Sequence, residues 1–248
     1  MSVSYYLHRP QPSTENRRNH VALKGNIVID LTKYRVVDLT MELHPGIHRV
    51  NQEYVHGREV RRLELRQFIY APDRCYMFWV DTETHIGTHV EGPSHYTSEA
   101  TSVGALPVPL FMGAAVVLDF THLPPQQGRP QPITPSDLKD VGPGDIVLMW
   151  SPYDEPEAPY LTPAAARWLQ DTGVKMVGLQ RIGLEVPDLQ PSDHFASHEA
   201  LLGNGIPVIE NLVNLETLTQ QRVFYIGLPL RIIGLDSSWV RAIALEDR

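Results

Sequence analysis

Cysteine is almost missing from this chain: Cys75 is the single thiol in 248 residues. No internal disulfide can form, which suits a reducing, cytoplasmic compartment. The apolar neighbours of Cys75 predict a buried, inert thiol rather than a nucleophile. Long apolar runs are missing too. None approaches the ~20 residues that span a bilayer, and no signal-peptide core follows the first residue, so a soluble protein with no membrane partner is expected. Positive charge is scarce: 21 Lys and Arg face 29 Asp and Glu, giving a net charge of −8 and a pI near 5.7. That balance offers no electrostatic handle on nucleic acid or anionic lipid. A G-x-S-x-G elbow and a phosphate-cradling glycine loop are absent as well, which leaves serine-hydrolase and nucleotide-binding readings unsupported. The partner expected is a small-molecule substrate.

What the chain does have is a concentration of metal-binding side chains. The run His85-Ile86-Gly87-Thr88-His89-Val90-Glu91-Gly92-Pro93-Ser94-His95 gathers three of the chain's 11 histidines and a glutamate. Neutral imidazole and carboxylate are the donors that Zn²⁺ and similar divalent ions take when no thiolate is offered. The histidines are internal and interrupted, so they are no affinity tag; the competing reading is a solvated polar loop. Extended backbone would set side chains 85, 87, 89 and 91 on one face. It would also part the Cα atoms of His85 and His89 by roughly 13 Å, at ~3.3 Å per residue. A bend at Gly87-Thr88 is therefore expected, the missing Cβ at Gly87 permitting the turn and clearing room for an ion. The segment from Arg74 to Val80 reads as the strand that delivers this loop.

A second group lies downstream. Residues 197–205 read as a short helix with Ser197 as N-cap and a glycine-rich stop. The apolar strand Ile206-Pro207-Val208-Ile209 then ends in Glu210. A carboxylate buried there needs a partner, which a metal would supply; taken alone, His198 and Glu210 are ordinary surface groups. Trp79 and Tyr96 flank the histidine run. Their functional role would be a flat wall for a planar aryl substrate, their ordinary role core packing, and a regular strand would turn Phe78 away from Trp79.

Along the rest of the chain, residues 1–25 are polar and irregular and read as an N-terminal extension, with one domain over 26–248. Short β-rich runs alternate with Pro/Gly turns from residue 35 onward. Residues 113–119 and 145–150 are continuous enough in apolar character to be buried strands, and 175–179 read as another. Thr134-Pro135 and Thr162-Pro163 predict helix starts, the second helix ending at Gly173. The pattern is α/β, strand-rich and single-domain.

The run HIGTHVEGPSH resembles the HxGTHxDxPxH signature of the cyclase family of metal-dependent hydrolases, which includes bacterial kynurenine formamidases, isatin hydrolases and certain polyketide cyclases. Downstream, His198, Leu201-Leu202, the strand to Ile209, Glu210 and Asn214-Leu215 are similar to that family's second segment. Val37-Asp38-Leu39-Thr40 resembles its opening strand, and residues 224–230 and 240–244 its closing strands. The resemblance implies a swivelling β/β/α, kynurenine formamidase-like architecture and a homodimer or homotetramer. It implies one or two divalent ions, Zn²⁺ or Mn²⁺: His85, His89 and Glu91 would hold a first, with His198 and Glu210 completing a second. His95 would be the acid/base or an additional ligand. Two positions depart from the pattern. Glu91 stands where the family has the shorter aspartate, and Gln180 stands in a segment where formamidases carry aspartate and serine. Three functions follow from these residues. The first is a hydrolase that cleaves a small amide C–N bond, aryl-formamide or cyclic amide, with a metal-activated water. The others are a lyase or cyclase working through an enolate, and a metal-binding protein without turnover.

Overall fold

Apolar side chains that alternate between two faces of the central strands decide the architecture. The computed structural model describes residues 30–49, 60–69, 72, 76–188 and 195–248. The expected extension over 1–25, the start of the domain at 26 and the environment of Cys75 lie outside the described residues. In chain order the strands and helices are β1 (Tyr34–Asp38), β2 (Gly46–Arg49), β3 (Val60–Ile69), β4 (Met77–Thr82), β5 (His89–Glu91) and α1 (Pro93–Tyr96). They continue as β6 (Met112–Asp119), β7 (Pro132–Ile133), β8 (Ile146–Trp150), β9 (Tyr160–Leu161), α2 (Pro163–Thr172), β10 (Met176–Gln180) and α3 (Ala196–Leu201). The last are β11 (Val208–Glu210), β12 (Arg222–Ile226), β13 (Ser237–Trp239) and β14 (Ile243–Asp247).

Nine of these strands form one sheet, ordered β1-β14-β12-β6-β8-β10-β11-β5-β13. Its centre is parallel, β6 with β8, β8 with β10 and β10 with β11; α2 makes the second crossover and α3 the third, while the first has only a 3₁₀ turn. Both faces are covered. Val147 and Met149 of β8 enter a core with Ala165, Ala166 and Leu169 of α2 and Leu201 of α3. Their neighbours Ile146 and Leu148 enter a second core with Leu39, Phe111 and Tyr225. This period-two division explains why the central strands read as continuous apolar runs. The strand-rich single domain expected from the sequence is what the fold shows, with Thr32–Arg248 holding together as one unit.

Local expectations fare unevenly. Thr162 caps α2 by accepting the Ala165 N–H at 3.2 Å, and Gly173 closes it at φ +76°. Thr134-Pro135 starts only a single 3₁₀ turn, Pro135–Leu138, closed by a capping box with Asp137. Pro143 follows too soon for a full helix, since the residue before a proline is driven out of helical conformation. A separate three-stranded sheet, β2-β3-β4, carries Trp79. Phe78 and Trp79 take alternate positions as expected, yet both faces are open, the two residues being 49% and 62% exposed.

The site belongs to the far end of the large sheet. There β5 is sandwiched between β11 and β13, with Glu210 opposite His89, and Ser237 opposite Glu91.

Candidate metal centre

His89 and Glu91 are two residues apart on β5, so they share a face, and Glu210 comes to that face from directly across the ladder. His89 is fully buried. Its Nδ1 donates to the Gly87 carbonyl at 2.8 Å, which leaves Nε2 as a lone-pair donor. That nitrogen lies 3.5 Å from Glu91 Oε1 and 3.8 Å from Glu210 Oε2. His85 arrives from the loop between β4 and β5, its Nδ1 3.0 Å from Glu91 Oε1. The loop bends where expected, Gly87 adopting φ +61°. A Cβ there would meet Leu43 carbons at 2.8–2.9 Å, so the glycine also makes room for Leu43.

Gly92-Pro93 ends β5 and starts α1, with Pro93 in the helix's first turn. This swings His95 back over the cluster, its Nε2 3.6 Å from Glu91 Oε1. His198 enters from α3. Ring centroids are 5.0 Å apart for His85 and His89, 4.5 Å for His85 and His95, and 5.9 Å for His95 and His198. The two segments expected to converge therefore meet. Ser197, read as an N-cap, is instead inside the first turn of α3, and Phe195 holds the cap position without a side-chain bond. Glu185 does the capping from outside, accepting the Ser197 and His198 N–H groups at 3.0 and 2.8 Å. The same carboxylate contacts His198 Nδ1 at 2.8 Å and orients that ring.

Asp236, just before β13, is the other carboxylate that sequence reasoning passed over. Its Oδ2 lies 2.8 Å from His85 Nε2 and 3.2 Å from His95 Nδ1. No local motif marks Asp236 or Glu185; only the strand pairing of β5 with β13 and the approach of α3 bring them in. Tyr96 packs against the α2/α3 core and Trp79 against Phe68 at 5.5 Å between ring centroids. Gln180 is likewise engaged structurally, accepting the Leu215 N–H at 2.8 Å and donating to Glu216 at 2.7 Å.

The electrostatics are those of donors crowded together. Burial opposes the charged form of His85, but its hydrogen bonds with Glu91 and Asp236 outweigh that and push the imidazole up to about 9. Glu91 is held low: burial raises it, and the surrounding imidazoles more than reverse the effect. Burial raises Glu210, reinforced by the Glu91 carboxylate. His95 is lowered by burial against the attraction of Glu91, which favours a neutral ring at neutral pH.

Two buried atoms in the cluster, His89 Nε2 and Glu91 Oε2, make no hydrogen bond to the protein. Buried polar atoms ordinarily find partners, because leaving one unmade costs roughly 1–3 kcal/mol. A cation satisfies both. Donor atoms of His85, His89 and Glu91 lie within 4.8 Å of one another, as do those of Glu91, His95 and His198, and of His85, His95 and Asp236. All are nitrogen or oxygen, the chemistry of a Zn²⁺ or Mn²⁺ site. The residues present fit a divalent metal.

The chain belongs to the cyclase family: the family model described as "Putative cyclase" matches residues 37–186. Among its relatives is the kynurenine formamidase of Salinibacter ruber (strain DSM 13855 / M31), 35% identical over 169 residues, 64% of this chain and 75% of the relative. The kynurenine formamidase of Erythrobacter litoralis (strain HTCC2594) is 30% identical over 169 residues, 66% of this chain and 74% of the relative. The fold is similar to an isatin hydrolase bound to the product analogue thioisatinate, with a TM-score of 0.73 at 21% identity over 88% of this chain and 94% of that one.

Proposed function

We propose that this chain is a metal-dependent hydrolase that cleaves a small non-peptide amide C–N bond, in an aryl-formamide or a cyclic aryl amide. The observation that carries the reading is the pair of unpartnered buried atoms, His89 Nε2 and Glu91 Oε2, inside a four-imidazole cluster. His85, His89 and Glu91 would hold a first ion, with His198 and Glu210 available to a second. The hydrolytic reading is supported by the kynurenine formamidases among the relatives. Zn²⁺ or Mn²⁺ is the ion class; when bound, it lowers the pKa of water toward neutrality and polarises a carbonyl.

The chain's own residues supply proton transfer. His95, neutral at neutral pH, carries its ring proton on Nδ1 toward Asp236 and turns Nε2 to the cluster. That nitrogen takes the proton of the attacking water as the new C–O bond forms. It then delivers the proton to the departing nitrogen as the C–N bond breaks. The products are a carboxylic acid and a free amine, or an opened ring bearing both. His89 and Glu91 are buried, so bulk water is excluded from their side of the cluster.

No helix among the described residues is long and apolar enough to cross a membrane. A cytoplasmic site of action and a homodimer or homotetramer complete the proposal, the assembly being checked by light scattering. The decisive assay supplies N-formylaniline and isatin in ¹⁸O-labelled water. Labelled formate or labelled ring-opened acid, abolished by a chelator and restored by Zn²⁺ or Mn²⁺, is expected. Conversion without label uptake would replace hydrolysis with the lyase or cyclase reading.

A further inference from the structure

Asp236 touches both the side chain proposed to hold the ion and the side chain proposed to move the proton. Its Oδ2 faces His85 Nε2 at 2.8 Å and His95 Nδ1 at 3.2 Å, while its Oδ1 accepts the Thr84 hydroxyl at 3.2 Å. The backbone fixes it too. The Asp236 carbonyl accepts the Gly92 N–H at 2.8 Å, and the next residue, Ser237, pairs with Glu91 across β5 and β13. The carboxylate is thus tied to the strand that carries His89 and Glu91.

Resting on the metal reading above, we infer that Asp236 is a positioning residue that sets His85 and His95 with one carboxylate oxygen. An imidazole has two nitrogens, and the partner of one decides what the other can do. With Asp236 accepting from His85 Nε2, Nδ1 is left to face Glu91 as a ligand atom. With the same oxygen accepting from His95 Nδ1, Nε2 is left to carry protons. The arrangement fixes the ring orientations as well as the tautomers, so ion binding and proton transfer share a support. Outer carboxylates of this kind are worth about 10- to 100-fold in metal affinity or activity. The competing role is a direct ligand, since Asp236, His85 and His95 also bring donor atoms within 4.8 Å of one another.

The experiment titrates Zn²⁺ and Mn²⁺ against a competing chelator for the full chain, Asp236→Asn, Asp236→Glu and His85→Ala, then measures kcat and KM at saturating metal. Asp236→Asn keeps the shape and an oxygen that still accepts, but removes the negative charge that both imidazole N–H groups share. It is expected to weaken metal binding by about 10- to 100-fold and to lower kcat with KM unchanged, Asp236→Glu recovering part of both. Asp236→Asn that matches the unaltered protein in affinity and kcat overturns the inference alone. So does a variant that loses metal as fully as His85→Ala, which makes Asp236 a ligand. An unaltered protein that binds neither ion overturns the metal reading and this inference with it.

Discussion

His89 and His95 belong to one short run of sequence yet have opposite surroundings. His89 is sealed on β5, with one nitrogen spent on the Gly87 carbonyl and the other unpartnered. His95 is more open, about a third exposed at 32%, with its Nδ1 on Asp236. These surroundings separate their roles. His85→Ala or His89→Ala should strip the protein of its ion, whereas His95→Ala should keep the ion and lose turnover by about 10²- to 10⁴-fold, the usual worth of a positioned acid/base. Elemental analysis of each purified variant beside its kcat checks this, and equal metal loss in all three would make His95 a ligand. Gly87 is a second point at which one atom matters. Gly87→Ala forces a side chain into left-handed backbone, at about 1–2 kcal/mol, and drives its Cβ into Leu43. The denaturant midpoint should fall accordingly, and Leu43→Ala in the same chain should recover the clash but not the backbone cost.

Among the elements, α3 is the one whose placement the site depends on and whose own sequence does least to fix it. It has no side-chain cap of its own; Glu185, thirteen positions before His198, caps it and orients the imidazole together. Glu185→Ala should therefore cost about 1 kcal/mol of stability as a lost cap. It should also weaken metal binding, measured by urea unfolding and chelator competition on the same sample. An unchanged unfolding midpoint would show the cap is dispensable. This element also marks the boundary of what the sequence makes legible. The strands at 113–119, 145–150 and 175–179 are readable because their central residues are covered on both faces and are apolar there, with polar residues only at the ends. The run from His85 to His95 is readable because its donors are neighbours in the chain. Asp236 stands 151 residues from His85, with no periodicity or spacing to link them, and joins the site only through β13 pairing. Glu185 is hidden for a similar reason: a carboxylate capping a helix from a preceding loop has no fixed offset, unlike Thr162 before α2.

For the whole molecule, crowding these donors has a consequence in pH. His85 is raised from its ordinary value of 6.5 to about 9 in the metal-free protein. The stability it contributes is fully present below pH 6.5 and is lost as pH rises through about 9. Glu91 and Asp236 are depressed, Asp236 to about 2, so their contribution is present above the ordinary carboxylate range and is lost as pH falls. Metal-free protein should be most stable between these limits and weaken from neutral to alkaline pH. Metal binding should run the other way, because His85 must shed its proton to become a ligand. Apparent affinity should then rise by about tenfold per pH unit up to pH 9, one proton leaving for each ion bound. Calorimetric titrations across that range test the slope, and an affinity independent of pH would contradict the proton count.

The most direct test of the central claim is anomalous scattering from crystals grown with Mn²⁺ and, separately, with Zn²⁺. The account predicts a peak at ~2.0–2.2 Å from donor atoms of His85, His89 and Glu91, the atoms that now include the unpartnered His89 Nε2 and Glu91 Oε2. Crystals soaked at saturating metal that show no peak in this cluster, or that place the ion elsewhere in the chain, would contradict it.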